Sequence, residues 1–308
     1  MKNFSNQYKK FLSKKAFSLT ELSMVILIIG ILIGGISQGV DIYKDFIKQN
    51  ALRLSKNSVV NRIPDLSLWL DYTNPNSYAS YGNKYPNENW EVGQILDSNP
   101  TKVSNFKGIG HLFCSSCINN LPATYGFGIS AVRSINNLSR YADLISKDGF
   151  SWFMVLYVDD PSYTGGGVFK ISSNSGDYAF GYSYFHEGYE QQYHGNSSIT
   201  FWPNWNDFRY APKKPYIATY VNKVNGAMAR INRSADQISA NVDNALLNAN
   251  LNQDFYLRYV MFYDTGYYFQ GGIGEFIVFS RALSPKEVFN VEEYLSQKWQ
   301  IPLIRKTL

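Results

Sequence analysis

Hydrophobic residues are spread unevenly along this chain. From Leu22 to Ile36 nearly every position is apolar, with only Ser23 and glycines interrupting. Counted from Phe17, that segment is twenty residues long, which is what a helix needs to cross a bilayer. Apolar residues then recur at helical spacing (Val40, Tyr43, Ile47, Leu54, Val59) among Asp41, Lys44, Asp45, Lys48 and Arg53. Pro64 closes the pattern, and the residue before a proline is already pushed out of the helical region. The expectation is one helix over residues 17–62, membrane-spanning over 17–39 and about 69 Å long if unbroken. Gly30/Gly34 and Gly35/Gly39 make two G-x-x-x-G spacings, which let helices approach closely in lipid.

After Pro64 the pattern changes to short apolar runs separated by Gly, Asn, Ser and Pro. Strands are predicted at 66–71, 126–132, 150–158, 167–171, 178–185, 216–221, 255–262 and 273–279. Tyr178, Phe180, Tyr182 and Tyr184 alternate with Ala179, Gly181 and Ser183, the period of a strand. One late helix is predicted. Ser284-Pro285-Lys286-Glu287 supplies an N-cap, a first-turn proline and a capping-box Glu, and Val288, Val291 and Leu295 mark its buried face. The fold class is α+β: a long N-terminal transmembrane or spine helix, a mainly antiparallel β-sandwich over 64–302, and a short C-terminal helix.

Charge narrows the function classes. The formal net charge is +5, but five of the 29 basic residues (Lys2, Lys9, Lys10, Lys14, Lys15) lie in the first sixteen, which hold no acid. Beyond them 24 basic residues face 24 acidic ones, so the footprint expected of a nucleic-acid binder is missing. A basic flank before an apolar helix instead follows the positive-inside pattern. Tyr and Phe number 24 and 20, a composition that suits strands.

A secretory signal would have a shorter apolar core with a small-x-small site after it, and Gly34-Gly35-Ile36-Ser37 matches that poorly. A plain signal anchor stays open. The third reading rests on Lys15-Ala16-Phe17-Ser18-Leu19-Thr20-Glu21, which resembles the processing motif of type IV prepilins and pseudopilins. The resemblance covers about residues 1–60. It implies that prepilin peptidase removes leader 1–16 by cutting between Ala16 and Phe17, and that the new N-terminus at Phe17 is methylated. The family's usual residue before the cut is Gly, and here it is Ala16. The resemblance also pairs Glu21 with the free amine of Phe17, in the same subunit or a neighbour. A carboxylate on an apolar segment needs a partner in any case. Ser18-Leu19-Thr20-Glu21 also fits a capping box, and the two roles are compatible.

Two further stretches resemble LamG-like, concanavalin A-type jelly rolls: Pro64–Asp71, with its L-S-L-W-L-D run, and Gly271–Phe279 followed by Leu283-Ser284 and Tyr294–Trp299. That resemblance implies the opening strand, closing strand and last helix of such a head. For sugar or receptor contact the candidates are Tyr184, His186, Tyr189, Tyr193, Trp202 and Trp205, aromatics with polar neighbours; the plainer reading turns half of them into the core. Cys114 and Cys117 predict a local disulfide, since a zinc site would need a second ligand pair. Asp71 and Asp159-Asp160 read as turn residues, and no metal or other cofactor is expected. Glu187 and Glu190 are too thin a basis for hydrolysis by paired carboxylates, so no enzyme is expected.

The sequence therefore predicts a type IV pilin-like subunit, minor pilin or pseudopilin, with a lectin-like head. It would start in the inner membrane with a cytoplasmic leader and move to a pilus or pseudopilus, its head periplasmic or at the cell surface. Its partners would be prepilin peptidase, other pilin subunits and a carbohydrate or surface ligand. The alternative is a membrane-anchored binding protein that never polymerises.

Overall fold

A computed structural model of the protein describes residues 18–99, 105–134, 149–159, 166–172, 178–184, 190–194, 197–201, 214–224, 226–233, 237–239, 256–258 and 271–304. The chain divides into two units, residues 1–46 and 47–308.

In the first unit, helix α1 (Leu19–Lys56) begins with the predicted capping box. The Ser18 amide donates to Glu21 Oε2 at 2.8 Å, and the Glu21 amide donates to Ser18 Oγ at 3.1 Å. The apolar side chains from Leu19 to Val40 lie on the surface, and all four spaced glycines face open space. Among the described residues this is the one helix long and apolar enough to cross a membrane.

The helix ends earlier than the sequence predicted, at Lys56 rather than Arg62. Polar groups of Asn57 and Ser58 end it: the Asn57 side chain donates back to the Arg53 carbonyl, and Ser58 Oγ accepts the Val60 amide. A 3₁₀ turn, Val60–Arg62, then carries the chain to Pro64.

In the second unit the strands are β1 (Leu66–Asp71), β2 (Gln94–Leu96), β3 (Asn105–Ile118), β4 (Leu121–Ser134), β5 (Gly149–Val158), β6 (Gly166–Ser172) and β7 (Tyr178–Tyr184). They continue with β8 (Glu190–His194), β9 (Ser197–Phe201), β10 (Tyr216–Lys223), β11 (Gly226–Ile231), β12 (Gln237–Ser239), β13 (Tyr256–Arg258) and β14 (Gly271–Phe279), before helix α2 (Pro285–Trp299). Among the described residues nine strands form one antiparallel sheet, β12-β11-β10-β5-β14-β4-β3-β2, with β1 also on β14. β13-β6-β7-β8-β9 form a second. Together they make a β-sandwich. Strand β14 sits at the centre: β5 runs along one edge, while β4 pairs Gly271–Ile273 and β1 pairs Glu275–Phe279 on the other. The last strand of the head thus closes against the first.

Strands β1 and β14 are buried at every position and β5 at all but its last, so both faces of the sheet are covered. On one face Phe153, Val155, Ile277 and Phe279 pack with Val288, Val291 and Leu295 of α2 and with Ile47 and Ala51 of α1. On the other, Trp152 stacks on Tyr220 and tilts against Phe276. The C-terminal helix has the predicted start. Ser284 caps it, Glu287 returns the bond, and Arg281 holds the Glu287 carboxyl down at about 2 against the opposing effect of burial, helped by Ser284.

Candidate functional site

The residues of the two jelly-roll-like stretches converge on one buried cluster. A strand's period of two puts Trp69 and Asp71 of β1 on the same face as Glu275 of the adjacent β14. The last turns of α2 bring Tyr294, Lys298 and Trp299 over that face, since positions one helical turn apart share a side. Lys298 Nζ lies 2.8 Å from Asp71 Oδ1 and 2.7 Å from Glu275 Oε2. Glu275 Oε1 accepts from Trp69 Nε1 at 2.7 Å and the Tyr294 hydroxyl at 2.8 Å, and Oε2 also accepts from Trp299 Nε1 at 2.8 Å. Asp71 accepts the hydroxyls of Thr73 and Ser55, both at 2.7 Å.

Asp71 does open a turn, as the sequence predicted, its Oδ1 accepting the Thr73 amide and its carbonyl the Asn74 amide, but it is more than a turn residue. It is a buried strand residue whose charge is matched by a helix far away in the chain.

Electrostatics separate the two carboxyls. Burial pushes Asp71 up, but the Lys298 charge with hydrogen bonds from Lys298, Thr73 and Ser55 outweighs it and holds the group below the usual carboxylate range. Burial pushes Glu275 up, Asp71 adds to this, and Lys298 and Trp299 pull only part of the way back. Four donors nevertheless fill the Glu275 lone-pair sites, an arrangement only the ionised carboxylate accepts. Gly274 makes the approach of α2 workable: a Cβ there would lie 2.3 Å from an atom of the Trp299 ring. Buried and fully bonded, the cluster holds β1, β14, α2 and the end of α1 together.

A second buried carboxylate fixes α2 to β10 and β11, on the same face of the sheet. Arg230 grips Glu292 with two bonds of 2.7 Å, and Thr219 donates at 2.9 Å. Arg233 adds a third cationic contact at 3.1 Å and lies over the Phe289 ring.

Beside the first cluster is a cleft of about 430 Å³ lined by Ser55, Lys56, Asn61, Asn74, Asn76 and Ser98, among others. Cys114 and Cys117 are joined in a disulfide where the β3–β4 pairing changes register. His111, on the same strand, is buried, and burial depresses its imidazole to about 3.

Ala16 and Phe17 lie outside the described residues, as do His186, Tyr189, Trp202 and Trp205. Tyr184 and Tyr193 are placed by backbone pairing alone: Tyr184 sits opposite Glu190, and Tyr193 opposite Gly181.

Sequence reasoning passed over the partners of this cluster. The signal was a charged residue inside an apolar strand, Asp71 after Leu-Ser-Leu-Trp-Leu and Glu275 within Gly-Gly-Ile-Gly-Glu-Phe-Ile-Val-Phe. A charge there demands a buried partner.

No known family model matches this sequence, and no curated protein sequence does. Solved structures match at the level of fold. A sialidase of Trypanosoma rangeli superposes with a TM-score of 0.51 at 10% identity, over 76% of this chain and 33% of that one. A botulinum neurotoxin type C structure, from work tying its cell entry to two ganglioside molecules, gives 0.54 at 13% identity over 77% and 52%. The binding domain of botulinum neurotoxin serotype D/C gives 0.54 at 13% over 77% and 53%. The chain thus spans between a third and about half the length of these structures. At such identities the likeness is one of fold alone: a β-sandwich.

Proposed function

We propose that this protein is a type IV pilin-like filament subunit, a minor pilin or pseudopilin, whose head binds a carbohydrate or cell-surface ligand without catalysis. The observation that carries the first half is Glu21 at the first turn of an exposed, membrane-length helix, directly after the Lys15-Ala16-Phe17 step. In this reading prepilin peptidase cuts between Ala16 and Phe17, the Phe17 amine is methylated, and Glu21 meets that amine or a neighbour's during assembly. The capping bond from the Ser18 amide is compatible with that role and gives the carboxylate a donor before a partner subunit arrives. Ser55 bonded to Asp71 supports the reading, since the end of α1 is locked into the head's core.

The second half draws on the lectin-like fold shared with the neurotoxin whose cell entry depends on gangliosides. The intact mass of protein taken from native membranes tests the filament reading. A chain beginning at methylated Phe17 is expected. One retaining residues 1–16 refutes it and leaves a membrane-anchored binding protein. Glu21→Ala is expected to be cut normally but to be lost from filaments, and normal incorporation removes the assembly role.

A further inference from the structure

We infer that Trp90 and Tyr81 form a platform on which the head stacks one neutral pyranose ring, an inference that rests on the lectin-like reading above. Trp90 is 53% exposed, the most exposed aromatic side chain among the described residues of the head. Its backbone is nevertheless clamped. The Trp90 carbonyl accepts the Phe113 amide at 2.7 Å, the Asn89 amide donates to the Phe113 carbonyl at 2.9 Å, and the Trp90 amide donates to Asn87 at 3.1 Å. Glu91 continues the contact as an isolated bridge to Leu112.

Tyr81 is held from the other side, its hydroxyl donating to the Glu91 carbonyl, and its ring centre lies 6.3 Å from that of Trp90 with the planes inclined at 48°, so the indole offers the stacking face and Tyr81 flanks it. Gly93 allows the loop to fold back this tightly: a Cβ there would meet Ser80 Oγ at 2.8 Å. Beneath, Tyr85 stacks on Phe113 and Tyr78 meets it edge-on, so the anchor of the platform is itself packed. A clamped pair, the indole exposed and the Tyr81 ring half-buried beside it, loses little freedom when a ligand settles on it.

The surroundings choose the occupant. Asn83, Lys84, Asn87, Glu88, Asn89 and Glu91 are all exposed, so the rim is rich in amides and hydrogen-bonding groups. Half an indole offers on the order of 100 Å², far below the ~800 Å² that each partner contributes to a stable protein interface. The other large exposed apolar residues of the described head, Val224 and Phe289, stand on different elements. A small ligand with one apolar face and polar edges fits this, and a pyranose has that form. One cation against two carboxylates gives no preference for an acidic sugar, so the ring is a neutral one.

The test uses the full chain in detergent on an array of neutral and sialylated oligosaccharides, with Trp90→Ala, Trp90→Phe and Tyr81→Ala beside the wild type. The expected result is binding of a neutral glycan, weakened roughly tenfold by Trp90→Ala, less by Tyr81→Ala, and largely kept by Trp90→Phe. Thermal unfolding of the two Trp90 variants is expected to stay near wild type because the indole is exposed. Neutral-glycan binding untouched by Trp90→Ala overturns the platform and leaves the lectin reading standing. Binding of sialylated glycans alone overturns the neutral-ring assignment. A wild type that binds no glycan overturns both.

Discussion

Lys298→Met removes the single cation between two buried carboxylates while keeping most of the side chain's length. The ammonium lies 2.8 Å from Asp71 and 2.7 Å from Glu275, in a site closed to solvent. Removing one partner of a buried ion pair costs roughly 3–5 kcal/mol, because the charge left behind is neither solvated nor matched. Against a usual total of about 5–15 kcal/mol, that is a large share of the fold's stability. The variant also carries a pH signature. Without Lys298, burial and mutual repulsion raise both carboxyls above their unfolded values, near 4. A raised folded pKa means that the native state binds more protons than the unfolded one. Stability is then present below the unfolded pKa and is lost as pH rises through the raised one. The deficit relative to wild type is therefore larger at about pH 7.5 than at about pH 4.5. Urea unfolding of the full chain in detergent, followed by tryptophan emission, measures it, because Trp69 and Trp299 both donate to Glu275. A loss below about 1 kcal/mol at the higher pH, or an equal deficit at both, refutes the account of the cluster. Adding Glu275→Gln to Lys298→Met is expected to recover part of the loss by removing one of the two charges.

Other perturbations probe the same head by separate routes. Gly274→Ala drives a methyl into the Trp299 ring, with three ring atoms at 2.3–2.7 Å; an overpacking cost of about 1–3 kcal/mol is expected in thermal unfolding. His111 stays neutral down to about pH 3 when folded but takes a proton near 6.5 when unfolded. The unfolded state then binds more protons, so stability falls by up to about 1.4 kcal/mol per pH unit as pH drops below about 6.5, and His111→Leu is expected to flatten that slope between about pH 6.5 and 5. Reducing the Cys114–Cys117 disulfide, or replacing both cysteines by Ser, is expected to cost about 2 kcal/mol or less, because the closed ring is so short. A larger drop in melting temperature than a few degrees contradicts the local role.

Legibility followed the range of the forces involved. Helix α1 was readable because its signal is a composition, repeated over many residues, and so was α2, whose Ser284–Glu287 cap is written within four positions. Strands β1, β5, β6, β10 and β14 were readable as apolar runs. Strands β2, β3, β8, β9, β11 and β12 were not, because what makes them strands is a neighbour's hydrogen bonds. β3, for example, carries Lys107, Gly108, Gly110 and two serines, and holds its place by pairing with β2 and β4.

By itself the sequence determined a neutral chain behind a basic N-terminal stretch, a membrane-length helix with a capped, acid-bearing start, and a β-rich head closed by a helix. Those follow from periodicity, charge and local caps, which act between near neighbours. The tertiary structure alone decided that Asp71, Glu275 and Lys298 are one cluster, although more than 200 positions separate the first from the second. It also decided that Ser55 reaches that cluster and that Trp90 is held facing solvent. The physical reason is that a buried charge and a clamped ring are set by what packs against them, and those partners lie on other elements, for the charge cluster at the far end of the chain.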